Sequence, residues 1–192
     1  MHACGSRKTG RQPMTQKIRC AGFGGQGIVL MGRLIAYSAM VEDKHTTFFP
    51  QYGAAMRGGT ANCSVIVADG DIAAPTVEEP DVVLIMNGPS LDKFEDTVKP
   101  GGWIFYNTSL IDREVKRDDV NVFKVAANEI ADEVGSAKAA NMVMLGAFAQ
   151  KLGTVGLDTL STRSLDAQMH GKSGQVMELN RKALKRGASL AK

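Results

Sequence analysis

The chain has 192 residues, of which 44% are hydrophobic and 22% are charged, as is usual for a soluble globular protein with a sizeable core. No apolar run reaches the roughly 18 residues that a membrane-spanning helix needs, so we expect no membrane segment. The net charge of +3 comes from Arg7, Lys8 and Arg11, because without them 20 basic residues face 20 acidic ones, and a neutral body argues against nucleic-acid binding.

Residues 1–13 lack the apolar core of a secretory signal peptide. We interpret them as a disordered leader or as an extension foreign to the native chain, with Met14 as a candidate native start. The fold is therefore predicted to be a single domain over residues 14–192.

The three cysteines, Cys4, Cys20 and Cys63, are widely spaced and include no Cys-x-x-Cys pair. This pattern argues against a disulfide framework, a zinc site or an iron–sulfur cluster held by this chain alone. The three histidines are scattered and suggest no metal site. We expect a reducing, cytoplasmic location.

The first predicted element is a strand over 17–23, which runs into the glycine cluster 22–27 and then into an apolar helix over 28–40. A strand, a glycine turn and a helix in this order begin a βαβ unit. β-branched and aromatic residues predict a second strand over 44–50.

A loop or short helical turn over 50–59 leads into a third predicted strand, 60–69. Both faces of that strand are small or apolar, so we expect it to be covered on both sides. The clearest buried strand lies in 81–90, and a short helix follows its polar turn. Two more strands are predicted, over 103–107 and 121–127.

The last third of the chain is predicted to be helical. The helices cover 128–135, 138–153, 157–169 and 175–187. Strands that alternate with helices predict an α/β fold, here a three-layer sandwich with a mostly parallel, Rossmann-like central sheet.

The first candidate binding site is the stretch "GFGGQG", in which Gly22, Gly24, Gly25, Gln26 and Gly27 satisfy the G-x-G-x-x-G spacing. It presents free backbone N–H groups at a helix N-terminus, which suit a phosphate or a carboxylate. The alternatives are that the glycines only let the helix pack close to the sheet, or that they form a subunit contact.

NAD or FAD would also require an acidic residue at the end of the second strand to hold a ribose. Glu42 and Asp43 have the right separation, but they precede that strand, which is predicted to end at Phe49–Pro50. The sequence therefore gives little support to a dinucleotide.

The second candidate is Arg57, which is followed by Gly58 and Gly59. An arginine held by a glycine turn can form a bidentate pair with a carboxylate or a phosphate. A solvated arginine, or one paired with an acid of this chain, fits equally. The two glycine turns would lie at opposite edges of the sheet unless the third strand is antiparallel or the loop folds back.

Other polar residues give weaker signals. Asn62, Asn87 and Asn107 lie on or at the ends of apolar strands, and we interpret them as turn or capping residues rather than ligands. No serine or cysteine has an obvious base partner and no acidic cluster suits a metal, so no catalytic residue is predicted.

Several segments, in order, closely resemble the γ subunit of the 2-oxoacid:ferredoxin (acceptor) oxidoreductases. The segments are "GFGGQGIVLMGRLIA", "YGAAMRGGTANCSVIVAD", "EPDVVLIMNGPSLDKFED", "VKPGGWIFYNTSLI" and "AANMVMLGAFAQ". The resemblance runs from about Ile18 to Arg186.

The form "MRGGTANCSV" resembles the 2-oxoglutarate branch of that family. The chain departs from the family pattern at Ala54–Ala55, where Pro-Glu is usual, so any role of that glutamate is missing. A branched-chain substrate, pyruvate or another 2-oxoacid therefore stays open.

The resemblance implies oxidative decarboxylation of a 2-oxoacid with coenzyme A, which gives an acyl-CoA, carbon dioxide and reduced ferredoxin. This chemistry needs thiamine diphosphate, magnesium and iron–sulfur clusters, which the resemblance assigns to α and β subunits and to a δ, ferredoxin-like subunit where one exists. The present chain would carry no redox centre, would be inactive alone, and would assist assembly and the binding of coenzyme A and substrate.

Two other functions stay open at this point. The chain is either a purely structural scaffold, with both glycine turns serving as interface geometry, or a free-standing nucleotide-binding module. Pairing of two isolated chains through surfaces meant for partner subunits is also left open.

Overall fold

The computed structural model describes residues 14–52 and 60–191, and within them six strands form one sheet. The strands are β1 (Thr15–Phe23), β2 (His45–Tyr52), β3 (Thr60–Ala68), β4 (Val82–Ile85), β5 (Trp103–Asn107) and β6 (Asn121–Val125). Their spatial order is β2-β3-β1-β4-β5-β6. Only β3 runs against the others, pairing antiparallel with both β1 and β2, whereas β1, β4, β5 and β6 pair in parallel. The predicted α/β fold with a mostly parallel sheet is therefore confirmed.

The helices connect the strands and make up the C-terminal third. They are α1 (Ile28–Val41), α2 (Gly88–Phe94), α3 (Ala127–Val134), α4 (Ala140–Leu152), α5 (Leu157–Thr159), α6 (Leu165–Gln168) and α7 (Gly174–Ser189). A π-helical turn, Leu160–Ser164, joins α5 to α6. The helix predicted over 157–169 is thus one helical segment with a π turn at its centre.

Some predicted boundaries differ from the structure. The strand predicted within 81–90 ends at Ile85, because the Asn87 side chain accepts a hydrogen bond from the Ser90 amide at 2.9 Å and begins α2. The loop predicted over 50–59 is wrong at its start, since β2 continues to Tyr52. The rest of that loop, residues 53–59, lies outside the described residues.

Helices cover the sheet on both sides but unequally. On one face, α1, α3 and α4 pack over a large core that includes Met31, Leu84 and Phe148. On the other face, α2 covers a smaller core around Val83 and Phe94. The middle strand β3 is buried from Ala61 to Ala68, as its small and apolar faces predict.

The last helix, α7, packs on α4 at very close range. A Cβ atom added to Gly187 would lie 1.9 Å from the Val143 carbonyl oxygen, and one added to Gly146 would lie 2.0 Å from that of Leu184. Only glycine allows the two backbones to approach this closely, so these two residues set the distance between the helices.

Candidate functional site

The first glycine cluster lies at the point where the connections of the sheet change direction. From β1 the chain crosses one face through α1, and from the neighbouring parallel strand β4 it crosses the opposite face through α2. Ligands of open α/β sheets bind in the crevice that such a change leaves beyond the carboxyl ends of the strands. Gly22–Gly27 is therefore placed where a binding loop is expected.

Packing requires two of these glycines. A Cβ atom on Gly22 would lie 2.6 Å from both Gln26 Oε1 and Ile28 Cδ1, and one on Gly27 would lie 2.2 Å from Asn141 Nδ2. Gly27 also has a positive φ of 75°, which other residues rarely adopt. For these two positions, close packing of the turn is a sufficient explanation.

Gly24 and Gly25 are exposed and need a different account. Gly25 has a φ of 97°, and a Cβ atom there would meet nothing within 4 Å. Its backbone conformation therefore favours glycine, while the space beside it is open to a ligand or to another chain.

Gln26 braces the turn internally. Its Oε1 accepts hydrogen bonds from the Phe23 amide at 2.7 Å and from Asn87 Nδ2 at 3.4 Å, and its Nε2 donates to the Met86 carbonyl at 3.3 Å. The side chain thus links the end of β1 to the end of β4, and its amide is committed to the fold.

The turn opens directly into α1, which has no side-chain cap at its N-terminus. The first intrahelical bond runs from the Met31 amide to the Gly27 carbonyl at 3.0 Å, so the amides of Ile28, Val29 and Leu30 precede it. Such amides carry the positive end of the helix dipole and attract anions. Among the described residues, α1 brings no acidic side chain to its first turn.

Asn141, at the start of α4, meets this helix end. The residue is only 4% exposed, and its Nδ2 donates to the Gly27 carbonyl at 3.4 Å. Its Oδ1 is buried without a partner among the described residues. A buried amide oxygen without a donor is costly, so Asn141 is poised to accept a hydrogen bond from a ligand.

Two cavities meet at Gly25 and Asn141, and we call them together the switch-point crevice. One has a volume of about 180 Å³ and is lined by Met86, Asn128 and Lys138 as well. The other has a volume of about 480 Å³ and extends past Lys138 to Met169, Lys172 and Val176. The crevice therefore combines an apolar wall, a helix N-terminus and two exposed lysines.

Sequence reasoning missed Lys138, Asn141 and Lys172: the two lysines belong to no recognised segment, and Asn141 lies in the family segment "AANMVMLGAFAQ" but was not singled out there. A usable signal existed for Asn141 alone, a polar residue in the otherwise small and apolar run "AANMVMLGAFA". Nothing in the local sequence indicates that α4 reaches the first glycine turn, which lies more than one hundred residues earlier.

The second candidate, Arg57 with Gly58 and Gly59, lies outside the described residues. The strands on either side show where this segment begins and ends: β2 ends at Tyr52, and Thr60 of β3 pairs with Phe23 of β1. The third strand is antiparallel to the first, which is the condition stated above for both glycine turns to lie at one edge.

The acidic residue that a dinucleotide would require is not near the glycine turn. Glu42 follows α1, at the end of the helix away from the glycine turn, about 20 Å along the axis. Its carboxylate accepts hydrogen bonds from the Gly156 amide at 2.6 Å and from Lys44 Nζ at 3.0 Å. Burial alone would raise the pKa of Glu42, but these bonds outweigh it and lower the pKa below its usual value.

Cys20 and Cys63 lie directly opposite each other on β1 and β3 and are both buried free thiols. The hydrogen bond with Cys63 and burial raise the pKa of Cys20 well above its usual range, so the thiol stays protonated. Within residues 14–52 and 60–191, no three His, Cys, Asp or Glu side chains are grouped to hold a metal ion. In the same residues no helix is both long and apolar enough to span a membrane.

Comparison with known proteins adds the family. A sequence profile of the pyruvate ferredoxin/flavodoxin oxidoreductase family matches residues 17–190. The ketoisovalerate oxidoreductase subunit VorA of Methanothermobacter marburgensis is 38% identical over 176 residues, which cover 92% of this chain and 36% of the relative. The 2-oxoglutarate synthase subunit KorC of Methanocaldococcus jannaschii is 31% identical over 185 residues, or 95% of this chain and 97% of the relative. The chain thus spans about a third of the VorA proteins (36%) but nearly all of this KorC protein.

Solved structures agree with these relatives. The γ subunit of a keto/oxoacid ferredoxin oxidoreductase from Geobacter sulfurreducens has a TM-score of 0.78 and 28% identity, with 92% of this chain and 98% of that chain covered. The 2-oxoglutarate:ferredoxin oxidoreductase of Magnetococcus marinus, solved with 2-oxoglutarate, coenzyme A and succinyl-CoA bound, has a TM-score of 0.84 and 27% identity. That match covers 92% of this chain and 31% of that chain.

Proposed function

The chain belongs to the pyruvate ferredoxin/flavodoxin oxidoreductase family, and from this membership we propose that it serves as the γ subunit of a 2-oxoacid:ferredoxin oxidoreductase. Relatives named as subunits of such enzymes are either of similar length or about three times as long. In the longer ones the equivalent segment is part of a larger subunit, and we infer from this a role in close contact with α and β subunits. The reaction is the oxidative decarboxylation of a 2-oxoacid with coenzyme A.

The substrate is a 2-oxoacid of the 2-oxoglutarate or the branched-chain type, with pyruvate as a further candidate, since a common γ subunit of pyruvate and ketoisovalerate oxidoreductases is 31% identical. The segment "MRGGTANCSV" favours 2-oxoglutarate, but a ketoisovalerate subunit is 38% identical and a 2-oxoglutarate subunit is 31% identical. Both types therefore have support, and the absent Pro-Glu at Ala54–Ala55 leaves the choice open. A panel of 2-oxoacids with the assembled enzyme decides it.

The described part of this chain offers no side-chain group for magnesium or for an iron–sulfur cluster. Its two described cysteines are buried and hydrogen-bonded to each other or to the backbone, and a cluster needs about four thiolate ligands. No side-chain group in residues 14–52 and 60–191 suits a divalent metal. We assign these cofactors to the partner subunits, including a δ, ferredoxin-like one where it exists.

The switch-point crevice is proposed to bind an anionic part of coenzyme A. The carrying observation is the buried, unpartnered Oδ1 of Asn141 beside the uncapped N-terminus of α1. The helix N-terminus and the exposed Lys138 and Lys172 suit a phosphate, and Asn141 Oδ1 accepts from an N–H or O–H group of the same ligand. Gly24 and Gly25 leave room for this ligand at the turn.

The test is steady-state kinetics of the assembled enzyme with Lys138→Ala and Lys172→Ala. We expect the KM for coenzyme A to rise by roughly three- to tenfold, which corresponds to about 0.7–1.4 kcal/mol of binding free energy. The KM for the 2-oxoacid should stay unchanged. Lys93→Ala, on α2 at the opposite face of the sheet, is the matched control. Unchanged KM values in both variants would contradict coenzyme A binding in the crevice.

A scaffold role is the second candidate, and a specific observation favours it. Packing explains Gly22 and Gly27, and internal bracing explains Gln26. If the glycine turn and the crevice beside it only contact a partner subunit, the lysine variants should lower the yield of assembled enzyme and leave its kinetics unchanged.

A further inference from the structure

The second face of the sheet carries a buried cation that has no acidic partner among the described residues. Arg19 of β1 is 8% exposed. It takes part in none of the ion pairs found in residues 14–52 and 60–191. Buried charges in proteins are normally paired, because an isolated charge withdrawn from water is strongly destabilising. Arg19 therefore requires an explanation.

The groups around Arg19 satisfy it only in part. Nη2 donates to the Val77 carbonyl, and the guanidinium carbon lies 4.9 Å from the centre of the Phe94 ring. Nε is buried with no acceptor among the described residues. Burial lowers the pKa of Arg19 below its usual value, as expected for a cation without a neighbouring anion. The third nitrogen, Nη1, has no hydrogen bond to a described residue, and unlike Nε it is not fully buried.

A cavity of about 310 Å³ opens beside this guanidinium. Arg19, Ser64 and Phe49 lie side by side across β1, β3 and β2, and all three line it. Ser64 is buried, whereas the Phe49 side chain is 50% exposed. Asn62, the next residue of β3 on this face, also has a buried Oδ1 with no partner in the described part of the chain.

The cavity is separate from the switch-point crevice. It lies on the face covered by α2, over the middle of β1, whereas the crevice lies beyond the carboxyl end of β1. Glu78 is the one acidic residue among the described residues that line the cavity. Its carboxylate forms no ion pair with Arg19, because none of the ion pairs of the described residues includes Arg19. The cation thus faces the cavity without a counter-ion.

We propose that the Arg19 cavity is a carboxylate-binding site, in which the guanidinium and the Ser64 hydroxyl hold the carboxylate and Phe49 covers its apolar stem. Guanidinium groups match carboxylates in shape and charge. The carboxylate comes either from a small organic acid or from an Asp or Glu side chain of a neighbouring subunit.

The primary test needs only the full chain, so it does not depend on the proposed function. Sodium acetate is titrated into 15N-labelled protein at constant ionic strength, and the Arg19 Nε–H, Ser64 and Val77 amide resonances are followed. We expect saturable shifts of all three. Arg19→Met should abolish the shifts of Ser64 and Val77, whereas Arg33→Met should leave all three shifts intact, because Arg33 is exposed and bonded to Gln168. Methionine replaces a buried cation without leaving a charge unpaired, which favours folding. Linear shifts, or equal shifts in Arg19→Met, would overturn the proposal.

A second variant keeps the test decisive if Arg19→Met does not fold. Glu78→Gln removes the one carboxylate that lines the cavity, so the half-saturating acetate concentration should fall by about two- to fivefold, the effect of one exposed like charge. An unchanged half-saturation would count against the proposal.

The source of the carboxylate is then decided in the assembled enzyme. A neighbouring subunit as the source predicts that Arg19→Met lowers the yield of complex relative to Arg33→Met. A small acid predicts equal yields and acetate binding that persists in the complex. Failure of the coenzyme A test above would leave all of these results standing, so the two proposals fail separately.

Discussion

At the residue scale, most polar side chains near the ends of the parallel strands form hydrogen bonds within the chain. Asn87 caps α2, Gln26 links β1 to β4, and Asn107 joins the end of β5 to the start of α3. The interpretation of Asn87 and Asn107 as capping and turn residues is therefore confirmed, but that of Asn62 is wrong, because Asn62 lies inside β3 and its buried Oδ1 has no partner among the described residues. Asn141 differs, because its Oδ1 has no partner among the described residues.

Asn107 gives the sharpest prediction at this scale. Asn107 is 0% exposed. Its Oδ1 accepts from the buried Ala127 amide at 3.1 Å and from the partly buried Ser109 amide at 3.2 Å, and its Nδ2 donates to Asn128 Oδ1 at 2.8 Å. Asn107→Ala leaves buried amides unpaired, so we expect a loss of about 1–3 kcal/mol in the free energy of unfolding, measured by urea denaturation.

The matched control is Asn121→Ala. The Asn121 side chain also donates to backbone carbonyls, those of Gly101 and Gly102, but the residue is exposed. Water replaces those bonds, and the change should stay within about 0.5 kcal/mol. Equal effects of the two substitutions would show that Asn107 has no special role in linking β5 to α3.

At the scale of elements, the pair α4–α7 matters because α4 carries Asn141 and α7 carries Val176, another wall of the crevice. Gly146 and Gly187 bring the two helices together at backbone contact distance. The geometry of the crevice therefore depends on a helix contact that lies well away from it.

Gly187→Ala should be strongly destabilising even though alanine favours helix by about 1 kcal/mol. The added Cβ atom would lie 1.9 Å from the Val143 carbonyl oxygen, and overpacking of this kind typically costs about 1–3 kcal/mol. We expect a lower free energy of unfolding in urea. Gly174→Ala, at the first turn of α7 with nothing within 4 Å of the added atom, should be neutral or slightly stabilising.

At the scale of the whole molecule, one half of the sheet is covered by helices on both faces and the other half is not. Helix α1 packs on β2 and β3 at one face, whereas α2 at the other face reaches β1 and β4. The second face of β3 is nevertheless buried, and the Arg19 cavity opens there towards the half-exposed Phe49 of β2. In a family whose named members are subunits of oxidoreductases, such a surface suits contact with a neighbouring chain.

Arg57 tests how the molecule acts within its assembly, and this prediction rests on the sequence and the family. Arg57→Ala in the assembled enzyme should raise the KM for coenzyme A or for the 2-oxoacid by roughly tenfold or more if the guanidinium holds a ligand anion, since one charged hydrogen bond contributes about 1.5–3 kcal/mol. Arg117→Ala, an arginine that pairs with Asp119, is the control.

The contrary outcome is equally clear for Arg57. A lower yield of co-purified complex with unchanged kinetics would place Arg57 in a subunit contact. Unchanged kinetics together with intact assembly would remove Arg57 from both roles.

Much of the fold could be predicted because the signals are local. The glycine turn before α1 and the alternation of strands and helices follow from contacts between residues close in sequence, and the predicted elements are found within a few residues of their predicted bounds. The apolar run within 81–90 and the polar turn that follows it predicted the strand to within one residue of its end at Ile85, and the capping bond of Asn87 then begins α2.

The sequence by itself determined the fold class, the family and the position of the first glycine turn. Only the tertiary structure decided the direction of β3, the meeting of Asn141, Lys138 and Lys172 with Gly25 and Gly27, and the burial of Arg19 Nε without a hydrogen-bond partner among the described residues. The reason is physical: a turn or a helix end is set by the conformational preferences of adjacent residues, whereas a crevice is made by segments more than one hundred residues apart that meet only when the hydrophobic core packs.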